Sequence, residues 1–190
     1  MSKILLPSLL TLLVFSVLTG LIYPFLVTGI AALCCKQQAQ GSLIRRDDRL
    51  IGSSLIGQPF DNPKYFWPRP SATTPQPYNG ASSAGSNLSP TNPAQLDAVK
   101  TQLAALHQAD PDNKLPVPVD LVTASASGLD PHISPAAAEF QLLRVARARN
   151  IDPQRLRSLV AAHTQARQWA VLGEPRVNVL ELNLALDALH

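Results

Sequence analysis

The chain has 190 residues, 46% of them apolar and 15% charged, with a net charge of +3. About 150 residues beyond an apolar N-terminal run are enough for one compact domain and hardly for two. The small, dispersed charge contains no run of five like charges and argues against nucleic acid as a partner. The two cysteines, Cys34 and Cys35, are adjacent. They can neither staple a domain nor offer metal-ligand spacing.

From Ile4 to Cys35 no side chain is charged, and Lys3 and Lys36 bound the run. At ~1.5 Å rise per residue such a helix outreaches a bilayer's ~30 Å hydrocarbon core. The sequence therefore predicts a membrane span over 4–35, with residues 1–3 as a short N-terminal segment. A secretory signal has a far shorter core, and Leu33 immediately before Cys34 argues against lipoprotein processing. Ser8, Ser16, Gly20, Pro24, Thr28 and Ala32 recur at multiples of four. Small residues let helices approach closely in lipid, so Ser16, Gly20, Tyr23, Pro24 and Thr28 form a candidate packing face. Such residues are also common in any single span. Pro24 deprives the Gly20 carbonyl of its helical donor and predicts a kink, while Gly29 and the cysteine pair mark the exit from lipid.

The side of the membrane is ambiguous from charge. Lys36, Arg45, Arg46 and Arg49 after the span, against Lys3 before it, place the domain in the cytoplasm by a count of basic residues. Asp47 and Asp48 interrupt that run, and long domains cross largely regardless of charge.

Beyond the span, Ser42–Arg45, Leu50–Ile51 and Leu55–Gly57 read as strands around a turn at Asp47-Asp48. Residues 61–93 are dense in Pro, Ser, Asn and Gly, yet hold Tyr65-Phe66-Trp67. A solvated linker rarely carries three adjacent aromatics, so this long segment is expected to be ordered and packed. Asn92-Pro93, Ser134-Pro135 and Asp152-Pro153 each read as a capped helix start. In the first helix Leu96, Val99, Leu103 and Leu106 form one stripe. Val117 to Thr123 reads as a strand, and Leu156, Leu159, Val160 and His163 share a helix face. Asn178 with Glu181 matches a capping box opening a last helix through Leu182, Leu186 and Leu189. The expected fold is α+β: a single N-terminal transmembrane helix, then one compact domain (36–190) with a small β-sheet and about four helices.

Chemistry-bearing candidates are few. The stretch 123–135 brings Ser127, Asp130 and His132 together and admits a membrane-anchored hydrolase. Catalysis needs the base within hydrogen-bond reach of the nucleophile, which neighbours on one irregular loop seldom achieve, and no Gly-x-Ser-x-Gly elbow is present. The plainer reading is a capped connection, with Asp130 bonding loop amides and Ser134 opening the next helix. His163 reads as a satisfied core histidine rather than a ligand. Arg144 and Arg147 with Phe140 read either as a solvated face or, through Phe140, as a docking patch. No phosphate-cradling loop and no Walker motif appears.

Ser127-Gly128-Leu129-Asp130-Pro131-His132-Ile133-Ser134-Pro135 resembles the signature of the C chain of the bacterial potassium-transporting Kdp ATPase. The likeness runs through Gly20-Leu21-Ile22-Tyr23-Pro24, Gly41-Ser42-Leu43-Ile44, Leu55-Ile56-Gly57-Gln58, Tyr65-Phe66 and Arg69-Pro70-Ser71. It continues in Gly85-Ser86-Asn87-Leu88, Asp120–Ser125, Arg144-Val145-Ala146 and Leu172–Leu180. Ala84, Ala126 and Gln40 depart from residues common in the family.

The resemblance implies a non-catalytic accessory subunit of a four-chain inner-membrane pump. Its partners would be a channel-like potassium-translocating subunit, a P-type ATPase subunit, a small single-span subunit and membrane lipid. Potassium would be the transported ion. ATP and magnesium would be handled by the ATPase subunit, since this chain lacks Asp-Lys-Thr-Gly-Thr and has no cofactor or metal of its own. The N-terminus would be cytoplasmic and the domain periplasmic, against the basic-residue count. The family has also been proposed to raise the ATP affinity of the catalytic subunit, which an external domain does not reach directly. Candidate partner contacts are Tyr65, Phe66, Arg69, Ser127, Asp130, His132, Phe140 and Arg144. Glu174 and Asp130 are candidates for weak cation attraction at the entrance. A binding module for a small external ligand is a third class beside subunit and hydrolase.

Overall fold

The computed structural model describes residues 2–189. Met1 and His190, the outermost residues of the expected N-terminal segment and domain, lie outside the described residues. The described chain divides into two units near Ile51–Gly52.

The first unit is dominated by a helix whose Ile4–Cys34 stretch is long and apolar enough to cross a membrane and has none of its surface buried. It comprises α1 (Ser2–Val17), one π-helical turn (Leu18–Ile22) and α2 (Tyr23–Cys34). The π turn answers the problem Pro24 poses. Proline has no N–H and its ring collides with the carbonyl four residues back, which is Gly20. Widening the preceding turn, with the Tyr23 N–H donating to the Leu18 carbonyl, moves that carbonyl aside. The wider turn also takes more residues per revolution, which offsets the drift that a four-residue spacing accumulates on a 3.6-residue helix. Ser8, Thr11 and Thr19 donate to the carbonyls of Ile4, Pro7 and Phe15 at 2.7–2.8 Å, so these hydroxyls are satisfied within the helix. Gly29 does not interrupt the helix. The short α3 (Lys36–Ala39) follows it, and β1 (Leu43–Arg46) pairs with β2 (Arg49–Ser53) around Asp47 and Asp48, both at positive φ. Leu55–Gly57, expected as a strand, is a turn and open loop.

The second unit holds α4 (Pro93–Ala109), α5 (Pro135–Arg149), α6 (Pro153–Ala162) and α7 (Val179–Asp187). All four open on the capping residues read from the sequence. Asn92 accepts from Ala94 N, Ser134 from Ala137 N, Asp152 from Arg155 N and Asn178 from Glu181 N. The sheet, however, is assembled from pieces too short to read in advance. β3 (His132–Ile133) and β4 (Thr164–Gln165) flank β5 (Arg176–Asn178), both antiparallel, with Val177 opposite Ile133 on one side and Thr164 on the other. Val117–Thr123 is not a strand. Pro116 and Pro118 withhold ladder donors, and a 3₁₀ turn (Val119–Leu121) forms instead, burying Leu121 alone.

The core gathers Phe66, Leu121, Ile133, Leu142, Val145, Leu156, Val177, Leu182 and Leu186. α5 lies at its centre, buried on two sides. α4 contributes less than its stripe promises, because Leu106 is buried while Leu96 is exposed.

The long segment 61–93 packs as expected, and two buried amides explain how. Asn183 on α7 accepts from the Phe66 N–H at 2.9 Å and donates to the Phe66 carbonyl at 3.0 Å. Gln141 on α5 does the same for Trp67, at 2.7 and 3.1 Å. Each amide supplies one donor and one acceptor, as a neighbouring strand would. Without them the backbone polar groups of a buried aromatic stretch would be unpaired.

Replacing Asn183 with Leu keeps the branched outline and strips both bonds. With a cost of ~1–3 kcal/mol for each of the two buried groups left unpaired, the variant should lose roughly 2–6 kcal/mol, read as a lowered midpoint in denaturant melts of the detergent-solubilised chain.

Candidate functional site

Two groups of sequence-predicted residues are brought together, and they differ in character. The first is buried. Arg144 on α5 lies 5% exposed, donating to the carbonyls of Pro63 at 2.5 Å and Tyr65 at 3.1 Å and to Gln141 Oε1 at 2.7 Å. Its guanidinium stacks 4.5 Å from the Trp67 ring centre. Burial pulls its pKa down to about 10, partly offset by Asp110, so it stays charged at neutral pH. Phe140 and Phe66 are buried in the core, and the Phe140 carbonyl accepts from Asn113 at 2.7 Å. Of the face expected from Phe140, Arg144 and Arg147, only Arg147 is exposed, pairing with Asp110, while Phe140 and Arg144 are interior and form neither a solvated face nor a docking patch. The physical reason is the aromatic segment, which packs over this side of α5 and needs a cation for its carbonyls. Tyr65 is half-buried beside it, bonding Asp187 at 3.1 Å, with Arg149 4.7 Å from its ring centre.

The second group reaches the surface. Arg69 leaves the aromatic segment and meets Asp130 at 3.0 Å, each side chain about a quarter exposed. Asp130 Oδ1 also accepts from the His132 backbone N–H at 3.0 Å and lies 3.2 Å from His132 Nδ1. Tyr78 donates to the Arg69 carbonyl. Burial pushes the Asp130 carboxyl up, yet the His132 bonds and the Arg69 charge outweigh it and hold it below the usual range. Burial, with Asp130 nearby, pushes the Tyr78 phenol well above its ordinary value. Depressions open on either side of the pair. One is lined by Asp120, His132, Glu174 and Arg176, the other by Leu55, Ser125, Ser127 and Pro131.

The backbone of this loop is tightly fitted. Gly128 sits at φ +66°, and a Cβ there would lie 2.5 Å from the Ala84 carbonyl oxygen. Ser71 Oγ donates to the Gly128 carbonyl at 2.6 Å, and Ser83 Oγ donates to that of Ser127 at 3.0 Å.

As a catalytic set the group fails. Ser127 Oγ accepts from the Leu129 N–H at 3.1 Å and meets Ser125 Oγ at 3.3 Å, while His132 is bound to Asp130. No hydrogen bond joins Ser127 to His132 among the described residues. The capped-loop reading is the one the geometry carries, with Asp130 bonding a loop amide and Ser134 opening α5. His163 caps α6, its Nδ1 3.0 Å from the Leu159 carbonyl. Both acids considered for cation attraction are already matched by arginines, Asp130 by Arg69 and Glu174 by Arg167 at 2.6 Å. No cluster of three metal-ligating side chains occurs among the described residues.

Sequence reading missed Gln141 and Asn183. A signal existed: each interrupts an otherwise apolar helical stripe, Gln141 between Ala137 and Val145, Asn183 between Val179 and Leu186. It also missed the exposed Trp169, whose apolar neighbours offer no periodicity to read.

The depressed Asp130 carboxyl fixes a pH dependence. The unfolded chain takes up a proton near the ordinary carboxyl value of 3.8, the folded chain only at lower pH. The stabilisation is therefore complete above about pH 4 and lost as pH falls through the folded value. Asp130→Asn should flatten the acid limb of a stability–pH curve, measured by thermal unfolding of the full chain in detergent.

The family model for the K+-transporting ATPase c chain, KdpC, matches residues 5–188. A potassium-transporting ATPase KdpC subunit of Dechloromonas aromatica is 57% identical over 189 residues, covering 100% of this chain and 99% of that one. That of Methylococcus capsulatus is 60% identical over 184 residues, 97% of each chain. That of Sorangium cellulosum is 61% identical over 181 residues, 95% of each. With nearly the whole length matched, span and domain alike, the chain belongs to the family of potassium-transporting ATPase c chains.

Proposed function

We propose that this chain is the non-catalytic accessory subunit of an ATP-driven, high-affinity potassium uptake complex in a bacterial inner membrane. The Ile4–Cys34 helix anchors it, with its N-terminus in the cytoplasm and its domain in the periplasm. Ser16, Gly20, Tyr23, Pro24 and Thr28 are the proposed packing face toward partner helices and lipid. The domain sits over the external ion entrance of the channel-like chain, touching it through Tyr65, Arg69, Ser127, Asp130 and His132. A P-type ATPase subunit and a small single-span subunit complete the complex. ATP and magnesium belong to the ATPase subunit, and potassium is cargo.

One observation carries the reading: the polar residues that invited a catalytic role are spent on holding loops. Ser127, Asp130 and His132 each bond backbone or a neighbour within the same turn, which is what a rigid contact surface requires. The proposed effects are assembly of the pump and shaping of its entrance. Any rise in ATP affinity of the catalytic subunit follows from assembly, because the periplasmic domain and cytoplasmic ATP lie on opposite sides of the membrane.

Purification of the tagged chain in mild detergent from potassium-starved cells should recover a channel-like chain and a P-type ATPase chain. Recovery of the chain alone, where other membrane complexes survive, would refute the proposal. In spheroplasts, external protease should digest residues 52–189 of the chain. Complete protection with the outer membrane removed would place the domain in the cytoplasm instead.

A further inference from the structure

The connection from β4 to β5 ends in an apolar tip. Gln168 and Leu172 exchange N–H···O bonds of 2.8 and 2.9 Å, leaving Trp169, Ala170 and Val171 as the turn. Trp169 is 80% exposed, Val171 74% and Leu172 52%. None of them belongs to the core or packs on it. Trp169 and Ala170 hold φ of 53° and 63°, a region that favours glycine over the residues present. Below the tip Arg167 clasps Glu174 at 2.6 and 2.7 Å. A braced stem thus presents a convex knob with no task in its own fold.

We propose that this tip inserts into an apolar pocket on another protein subunit of the potassium-transporting complex, with Trp169 as the anchor. The proposal rests on the accessory-subunit reading. Exposed tryptophans that fill a partner's pocket dominate interface energetics. Charge separates a protein pocket from a lipid surface. Between Ala166 and Pro175 the only charged side chains are Arg167 and Glu174, and they neutralise each other. An element made for the bilayer surface carries surplus Lys and Arg beside its apolar residues. Within that stretch none is surplus, and Arg176 just beyond it, at the foot of the stem, is bonded to the Gln165 side chain, so a desolvating pocket around the tip has no unpaired charge to bury. Size separates a subunit of the complex from a second copy of the chain. Three side chains fall far short of the ~20–30 residues per side of a free-standing interface. Where the chain is already tethered beside its partner, so small a knob acts as an intramolecular contact.

The test uses the full-length chain co-expressed with its partner chains, with photoreactive p-benzoylphenylalanine in place of Trp169. The membranes are irradiated and the adduct is identified by mass spectrometry. A cross-link to a partner subunit is expected. Trp169→Ser should lower recovered partner about tenfold while leaving the thermal unfolding of the chain unchanged, because the side chain is 80% exposed and lies outside the core. An adduct to lipid or to a second copy, or none at all while partners still co-purify, would overturn the tip contact and leave the accessory reading standing. Failure of the unsubstituted chain to bring down any partner would overturn both.

Discussion

The domain depends on a double amide clamp. Gln141 and Asn183, on different helices, each hold both backbone groups of one residue in the aromatic segment. Proline-rich chain cannot join a ladder of its own, because too many of its donors are missing. Burying Phe66 nonetheless requires its peptide groups to be paired, and side-chain amides are the neutral groups that can both give and accept. Arg144 completes the arrangement by bonding two further carbonyls of the same segment. The segment therefore behaves as a strand whose partners are side chains.

The surface group follows from that clamp. Once Phe66 and Trp67 are fixed, Arg69 two residues on has little freedom, and it meets Asp130 on the loop before β3. Asp130 in turn fixes the His132 backbone, and His132 opens the strand that pairs with β5. Core and surface are thus joined by one continuous series of bonds. In an enzyme site the base would reach the nucleophile, whereas here Ser127 and Asp130 bond backbone amides and no hydrogen bond joins Ser127 to His132 among the described residues. This distribution holds the loop in one shape.

In the first unit the constraint is different. A helix long and apolar enough to cross a membrane would find no partner in lipid for a freed backbone carbonyl, so its proline has to be accommodated within the helix. The π turn, ending two residues before Pro24, does this and keeps the helix continuous to Cys34. Short hydroxyl-to-carbonyl bonds at Ser8, Thr11 and Thr19 apply the same rule to side chains.

What the sequence determined by itself was whatever depends on near neighbours along the chain. The span follows from uninterrupted hydrophobicity, and the four helix starts follow from caps reaching two or three residues. The packing of 61–93 follows from three aromatics that had to go somewhere, and the family from motifs spread along the whole chain. Only the tertiary structure decided what depends on residues far apart. β3, β4 and β5 are two or three residues long and exist because they find each other, while Val117–Thr123 shows strand composition without a strand to pair with. Arg144 looked like surface on its own helix and is interior because the segment at Pro63 and Tyr65, 81 and 79 residues upstream, lies across it. A periodicity reports which residues share a face. It does not report what covers that face, since the covering chain is brought there by the fold.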